Sequence, residues 1–141
     1  MGRKGMFGKN KLTKEEKQLR KQYFKMIRKN RKELNSLNKA ACTRPWDSSY
    51  GLDYFVAYMK FMQDYYNLGW NVWQTDDTLI PLKKSLNEAL EAYEKWQGLE
   101  DEFFHDDTEN KENFKKILQE YPERKKKFFD LLCEHIEEWW D

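Results

Sequence analysis

The segment between Pro45 and Gly69 constrains this chain more than any other. At 100° per residue, Leu52, Phe55, Met59, Met62 and Tyr66 line one stripe of a helix, and Tyr54, Tyr58, Phe61 and Tyr65 line a second. Only Asp53, Ala57, Lys60, Asp64 and Asn67 are left as a polar strip. The spacing therefore predicts a helix over residues 49–68 that is packed on most sides by its neighbours. Its ends are marked. Pro45 disfavours helix at Arg44, Asp47 or Ser48 can cap the first turn, and Gly69 is placed to take the left-handed conformation that stops the last one. Trp46 in the entry turn can be an exposed stacking platform. A large aromatic in a capping turn more commonly plugs the end of the core, and that is the expectation.

The remainder of the chain reads as helical too. With only six glycines and three prolines in 141 residues, and no alternating β-branched runs, the class is all-α. A chain of this length is one domain by the usual prior and buries roughly two-thirds of its unfolded surface. The expected architecture is a single-domain bundle over residues 13–141, with about five helices around the aromatic-rich central one. A flexible basic arm, residues 1–12, precedes it; Arg3, Lys4, Lys9 and Lys11 lie there among three glycines.

Thr13 followed by Glu16 is a capping-box pattern and starts the first helix, which runs to about Lys39. Its apolar face is Leu19, Tyr23, Met26, Ile27, Leu34 and Leu37. Beyond the central helix, Trp70, Asn71, Val72, Trp73 and Gln74 form a connection with two exposed or half-buried indoles. Asp77 or Thr78 then caps a third helix, with Pro81 in its first turn, Leu82, Leu86, Ala89, Leu90, Tyr93 and Trp96 on its apolar face, and Gly98 as its end. Residues 99–110 are acidic and read as a loop anchored by Phe103, Phe104 and His105. A fourth helix over residues 109–120, with Phe114, Ile117 and Leu118 inward, is broken by Pro122. A fifth runs over residues 122–140, with Phe128, Leu131, Leu132, Ile136 and Trp139 on one face.

Charge is divided unevenly. Residues 1–40 hold 14 Lys and Arg against three Glu, and residues 41–141 hold 12 basic against 22 acidic side chains, so a net of +1 conceals two opposed blocks. Such blocks bear on association rather than on fold. On the first helix Lys14, Lys17, Lys21, Lys25, Arg28 and Lys32 fall within an arc of about 80° and along about 27 Å of axis, with Phe24 at the border. Cations aligned in this way can follow phosphates without reading bases. They can equally be a solvated face, or be neutralised by the acidic remainder of the chain.

A second basic group, Arg124, Lys125, Lys126 and Lys127, lies near the N-terminus expected for the fifth helix, while Glu134, Glu137, Glu138 and Asp141 lie near its C-terminus. Both placements oppose the helix dipole. A bound anion at that N-terminus accounts for the arrangement; pairing with the acidic loop over residues 99–110 accounts for it as well, and is the commoner solution.

Enzymatic signatures are thin. Cys133 and His135 point some 200° apart on a helix and make a poor metal pair, and His135 reads as a core histidine. His105, Asp106 and Asp107 are weak candidates for a cation site, and nothing resembles an activated nucleophile or a phosphate loop. Glu88, Glu91 and Glu94, with Glu138 and Asp141, resemble the paired acidic motifs that hold magnesium in the all-α nucleoside triphosphate pyrophosphatases. Over 40 residues separate the two halves, and a solvated acidic face is the expectation. Two cysteines make no disulfide framework. No segment reads as a signal peptide or is long and apolar enough to span a bilayer, so the expected compartment is cytoplasmic.

Arg44-Pro45-Trp46-Asp47, the helix ending in Asp64-Tyr65-Tyr66 with Gly69, Asn71-Val72-Trp73, and the closing Ile136-Glu137-Glu138-Trp139-Trp140-Asp141 resemble a group of small all-helical proteins of bacteriophages and prophages. The resemblance covers residues 44–141. It implies a phage or host-cytoplasm setting and no catalytic activity. The function expected is therefore non-enzymatic and cofactor-free: binding of nucleic acid or another polyanion through the first helix and its arm. The alternatives are a protein-interaction module, binding a host protein or itself through exposed Trp70, Trp73, Trp139 and Trp140, and a nucleotide-trapping protein using residues 124–127.

Overall fold

A computed structural model describes residues 12–69, 75–105 and 111–139. Among these residues the regular elements are the helices α1 (Lys14–Thr43), α2 (Ser48–Asn67), α3 (Asp76–His105) and α4 (Lys111–His135), followed by a single 3-10 turn, Ile136–Glu138. The chain is all-α, as expected, with four long helices in place of about five. The expected arm, apart from Leu12, and the indoles Trp70, Trp73 and Trp140 lie outside the described residues. The chain gathers into two compact units, Met1–Lys83 and Lys84–Asp141, whose boundary falls within α3.

The first unit is built on a helical hairpin. Thr13 caps α1, its hydroxyl accepting from the Glu16 amide at 3.1 Å. The helix continues one turn past the expected end at Lys39, and Arg44 donates its amide to the Ala40 carbonyl at 3.1 Å before Pro45 prevents further propagation. Residues 44–47 then form a tight turn, with the Asp47 amide donating to the Arg44 carbonyl at 3.1 Å. The Asp47 carboxylate caps α2, accepting from the Ser49 amide at 3.0 Å and from its hydroxyl at 2.6 Å. So short a connection makes α1 and α2 antiparallel neighbours, and they pack on one another. Gly69, at φ 76°, ends the hairpin in the left-handed conformation expected of it.

Burial on α2 is narrower than the two aromatic stripes predict. Val56, Ala57, Met59 and Tyr66 are buried, but Tyr54, Phe61 and Tyr65 are only half-buried and Tyr58 is 47% exposed. Two residues of the expected polar strip face inward instead. Ala57 is buried, and Asp64 accepts a hydrogen bond from the Asn30 side chain at 3.3 Å. Asn30 lies at the angular centre of the apolar face of α1 and is its one fully buried residue. Its amide nitrogen also donates to the Met26 carbonyl at 2.9 Å. Those two acceptors offset the cost of withdrawing the amide from water.

In the second unit α3 and α4 run through the residues expected to stop them. Gly98 lies within α3, because the apolar face continues to Leu99, 2% exposed, and glycine in a helix costs only about 1 kcal/mol. Pro122 lies within α4. Ile117, Phe128 and Leu132 form one buried face across it, and the carbonyl that loses its donor belongs to exposed Leu118. The core is aromatic. Trp96 has ring neighbours in Tyr121, Phe128 and Phe129 at centroid distances of 6.1, 6.0 and 5.9 Å, and Tyr93 lies 5.2 Å from Phe128. Trp139 follows the 3-10 turn, 1% exposed, and its indole nitrogen donates to Ser85 Oγ at 2.9 Å.

Candidate polyanion-binding face

All six cations of the predicted stripe, Lys14, Lys17, Lys21, Lys25, Arg28 and Lys32, are exposed on α1. They follow one another at steps of three or four residues, so each has a like charge one helical turn away. Such neighbours destabilise a helix by about 0.2–0.5 kcal/mol a pair. Among the described residues, none of the six side chains forms an ion pair or a hydrogen bond that would relieve this. The only carboxylates on α1 are Glu15, Glu16 and Glu33, which lie outside the arc of the stripe.

The stripe borders a concavity of about 490 Å³ lined by Leu12, Lys17, Arg20, Lys21, Phe24 and Arg28. Phe24 stands in it with 41% of its surface exposed, and the Arg20 guanidinium lies 5.7 Å from its ring centroid. The edge of Phe24 meets Tyr23, whose ring is in turn 6.3 Å from that of Tyr65 on α2. These contacts fix one side of the phenyl ring and leave the remainder accessible. Sequence reasoning placed Phe24 at the border of the stripe but gave it no role, and it did not include Arg20.

The second basic group is differently placed. Because α4 begins at Lys111, residues 124–127 lie in the middle of a helix and not at an N-terminus, and the dipole argument for a bound anion there does not hold. Arg124 donates to Glu120 Oε2 and to the Lys95 carbonyl, both at 2.9 Å, which ties α4 to α3. Lys126 pairs with Asp130 at 2.6 Å. The two carboxylates, Glu120 and Asp130, are each four residues away on the same helix, where the acidic loop was expected to supply the partners. The hydrogen bond that Lys126 donates to the Asp130 carboxylate also raises the lysine pKa above its ordinary value. Of residues 124–127, Lys125 and Lys127 are exposed and form no ion pair or hydrogen bond among the described residues.

The tryptophans exchange the places expected of them. Trp139, counted among the interface anchors, is buried in the second unit, since it continues the apolar face of α4 and its indole N–H finds Ser85. Trp46, expected to plug the core, is 79% exposed. The hydrogen bonds of residues 44–47 and the Asp47 cap hold the turn, and Pro45 fixes its entry, so the indole is carried on a rigid mount. Arg44 beside it donates to the Tyr50 hydroxyl at 3.0 Å.

His135 is not enclosed in the core: it faces the carboxylates of Glu134 at 3.6 Å and Glu138 at 3.1 Å. Glu88, Glu91 and Glu94 are exposed, with Glu91 3.8 Å from Lys95. Among the described residues no three His, Cys, Asp or Glu side chains are arranged to hold a metal ion, and no helix is long and apolar enough to cross a membrane. No family model, curated protein or solved structure matches the chain.

Proposed function

We propose that this protein binds nucleic acid or another polyanion, without catalysis, through the outer face of α1. The observation that carries the reading is the ladder of six exposed cations with no ion pair or hydrogen bond among the described residues. A ladder of like charges costs helix stability, and a stretch that breaks a local rule without internal compensation marks a place where something else supplies the compensation. A row of phosphates would do so, releasing counterions as it binds. Arg3, Lys4, Lys9 and Lys11 of the preceding segment would extend the reach. A phage or host-cytoplasm setting, which the sequence resemblance implies, suits such a protein.

Fluorescence anisotropy with generic DNA and RNA tests the reading directly. Contacts to about six phosphates predict a fall in affinity of roughly a thousandfold between 50 and 200 mM salt. Absence of binding at the lower salt, or affinity indifferent to salt, would overturn it.

One observation favours a second reading, a protein-interaction module: the exposure of Trp46 on its rigid turn. Preorganised indoles are frequent interface anchors. A salt-insensitive self-association, detected by light scattering and abolished in Trp46→Ala, would favour that reading over the first.

A further inference from the structure

Phe24 is out of place on a face that only follows phosphates. It belongs to neither the apolar side of α1 nor the turn, and four of its neighbours along the helix, Lys17, Arg20, Lys21 and Arg28, are cations that line the same concavity of about 490 Å³. A ring at such a position leaves 41% of its surface in water in the free protein. It also adds nothing to attraction for phosphate. What it offers is a π-face, with Arg20 already 5.7 Å from its centroid.

We infer that the polyanion is a single-stranded nucleic acid, with a base stacked on Phe24 while the flanking phosphates meet Lys17, Lys21, Lys25 and Arg28. The inference rests on the polyanion reading above and names its ligand. A duplex presents phosphates and groove edges but keeps its base faces stacked on one another, so the ring would face it without a partner. A single strand exposes base faces to either side of its backbone, and alternation of aromatic and cation is the arrangement that engages both parts of it. Arg20, whose guanidinium already lies over the ring at 5.7 Å from its centroid, adds a cation–π contact to the same stack.

The test is an anisotropy titration, at 50 mM salt, of labelled oligo-dT and of a mixed-sequence duplex of the same length, with the whole chain as wild type, Phe24→Ala and Phe24→Tyr. The expected result is that wild type prefers oligo-dT by about tenfold or more. Phe24→Ala should weaken oligo-dT binding by about 5- to 100-fold while duplex affinity stays within about twofold. Phe24→Tyr, which keeps the ring, should restore the preference. Circular dichroism confirms that α1 is intact in each variant. Equal affinity for the two probes, or a Phe24→Ala loss shared by both, overturns the stacked base and leaves phosphate tracking standing. Failure of wild type to bind either probe removes the polyanion reading itself, and the stacked base with it.

Discussion

The two compact units use the same residue types in opposite ways. In the second, Trp139 is 1% exposed with its N–H bonded to Ser85, Trp96 lies among other rings, and Arg124 and Lys126 each find a carboxylate four residues away. In the first, Trp46 stands 79% exposed on a rigid turn, and six cations of α1 follow one another with no ion pair or hydrogen bond among the described residues. Composition does not separate these cases. For the charged groups, what separates them is whether the positions one helical turn away hold complementary or like groups.

The largest effect expected from this contrast concerns the tryptophans. Trp139→Ala should cost about 3–5 kcal/mol in urea unfolding, the range for removal of a large buried aromatic. Trp139→Phe, which keeps most of the ring but loses the bond to Ser85 Oγ, should cost about 1 kcal/mol. Trp46→Ala should stay within about 0.5 kcal/mol of wild type. A large loss in Trp46→Ala would mean that the turn depends on its indole, and the contrast between the units would fail at that point.

The cation ladder gives the next effect, and it permits fold and binding to be moved in opposite directions. In the double variant Lys21→Glu, Arg28→Glu, each new carboxylate has cations one turn away on both sides, Lys17 and Lys25 for the first and Lys25 and Lys32 for the second. Repulsive neighbours become attractive ones. Stability should rise by about 1 kcal/mol or more, while polyanion affinity at 50 mM salt should fall by about a hundredfold or more. The matching change in the second unit, Lys125→Glu with Lys127→Glu, should leave affinity within about threefold, with the small change due to net charge alone. Equal losses from the two variants would show that binding follows overall charge and not the α1 face.

How much of this was legible in the sequence depends on the range over which each feature is decided. Thr13 with Glu16, Asp47 with Ser49, and Gly69 were readable because a cap is settled within a few residues. Gly98 and Pro122 misled because their local preference was outweighed by apolar faces continuing on both sides, through Leu99 in one case and from Ile117 to Phe128 in the other. The stripe on α1 was visible in its periodicity. That it would remain unpaired was not, since this depends on what the fold brings opposite. For Arg124 and Lys126 the reverse holds: Glu120 and Asp130 stand at four-residue spacing in the sequence and identify the pairs without a structure. Trp139 was legible in part: its place on the apolar face of the last helix pointed inward, but its partner Ser85, 54 residues away, lies beyond any local reading. Asn30 did leave a signal, an amide at the centre of an apolar face, where burial demands partners.

A smaller effect separates a cation that holds the fold from one that does not. Arg124→Ala removes the bonds to Glu120 and to the Lys95 carbonyl and should cost about 1 kcal/mol, the side chain being 37% exposed. Lys21→Ala removes a charge from the ladder and should stabilise α1 by a few tenths of a kcal/mol. If both substitutions proved equally costly, Lys21 would have a partner on the protein and the ladder would not be unsatisfied.

The smallest effect is read from titration, and it places the two units at opposite ends of the pH scale. In the first, the Ser49 hydroxyl and amide hold the Asp47 carboxyl below its ordinary pKa. A depressed carboxyl contributes stability that is present above about pH 4 and lost as pH falls through its folded value. In the second, the bond to Asp130 raises Lys126, so that pair contributes below about pH 10.5 and is lost as pH rises through the folded value. Side-chain NMR titration should therefore show Asp47 moving up toward the ordinary carboxyl value in Ser49→Ala, which removes the largest cause of its shift, and Lys126 moving down toward the ordinary lysine value in Asp130→Asn. Neither change should alter polyanion affinity, because neither group belongs to the α1 ladder. An Asp47 titration unmoved by Ser49→Ala would show that the cap does not hold the turn in solution, and the rigid presentation of Trp46, which depends on that turn, would lose its physical basis.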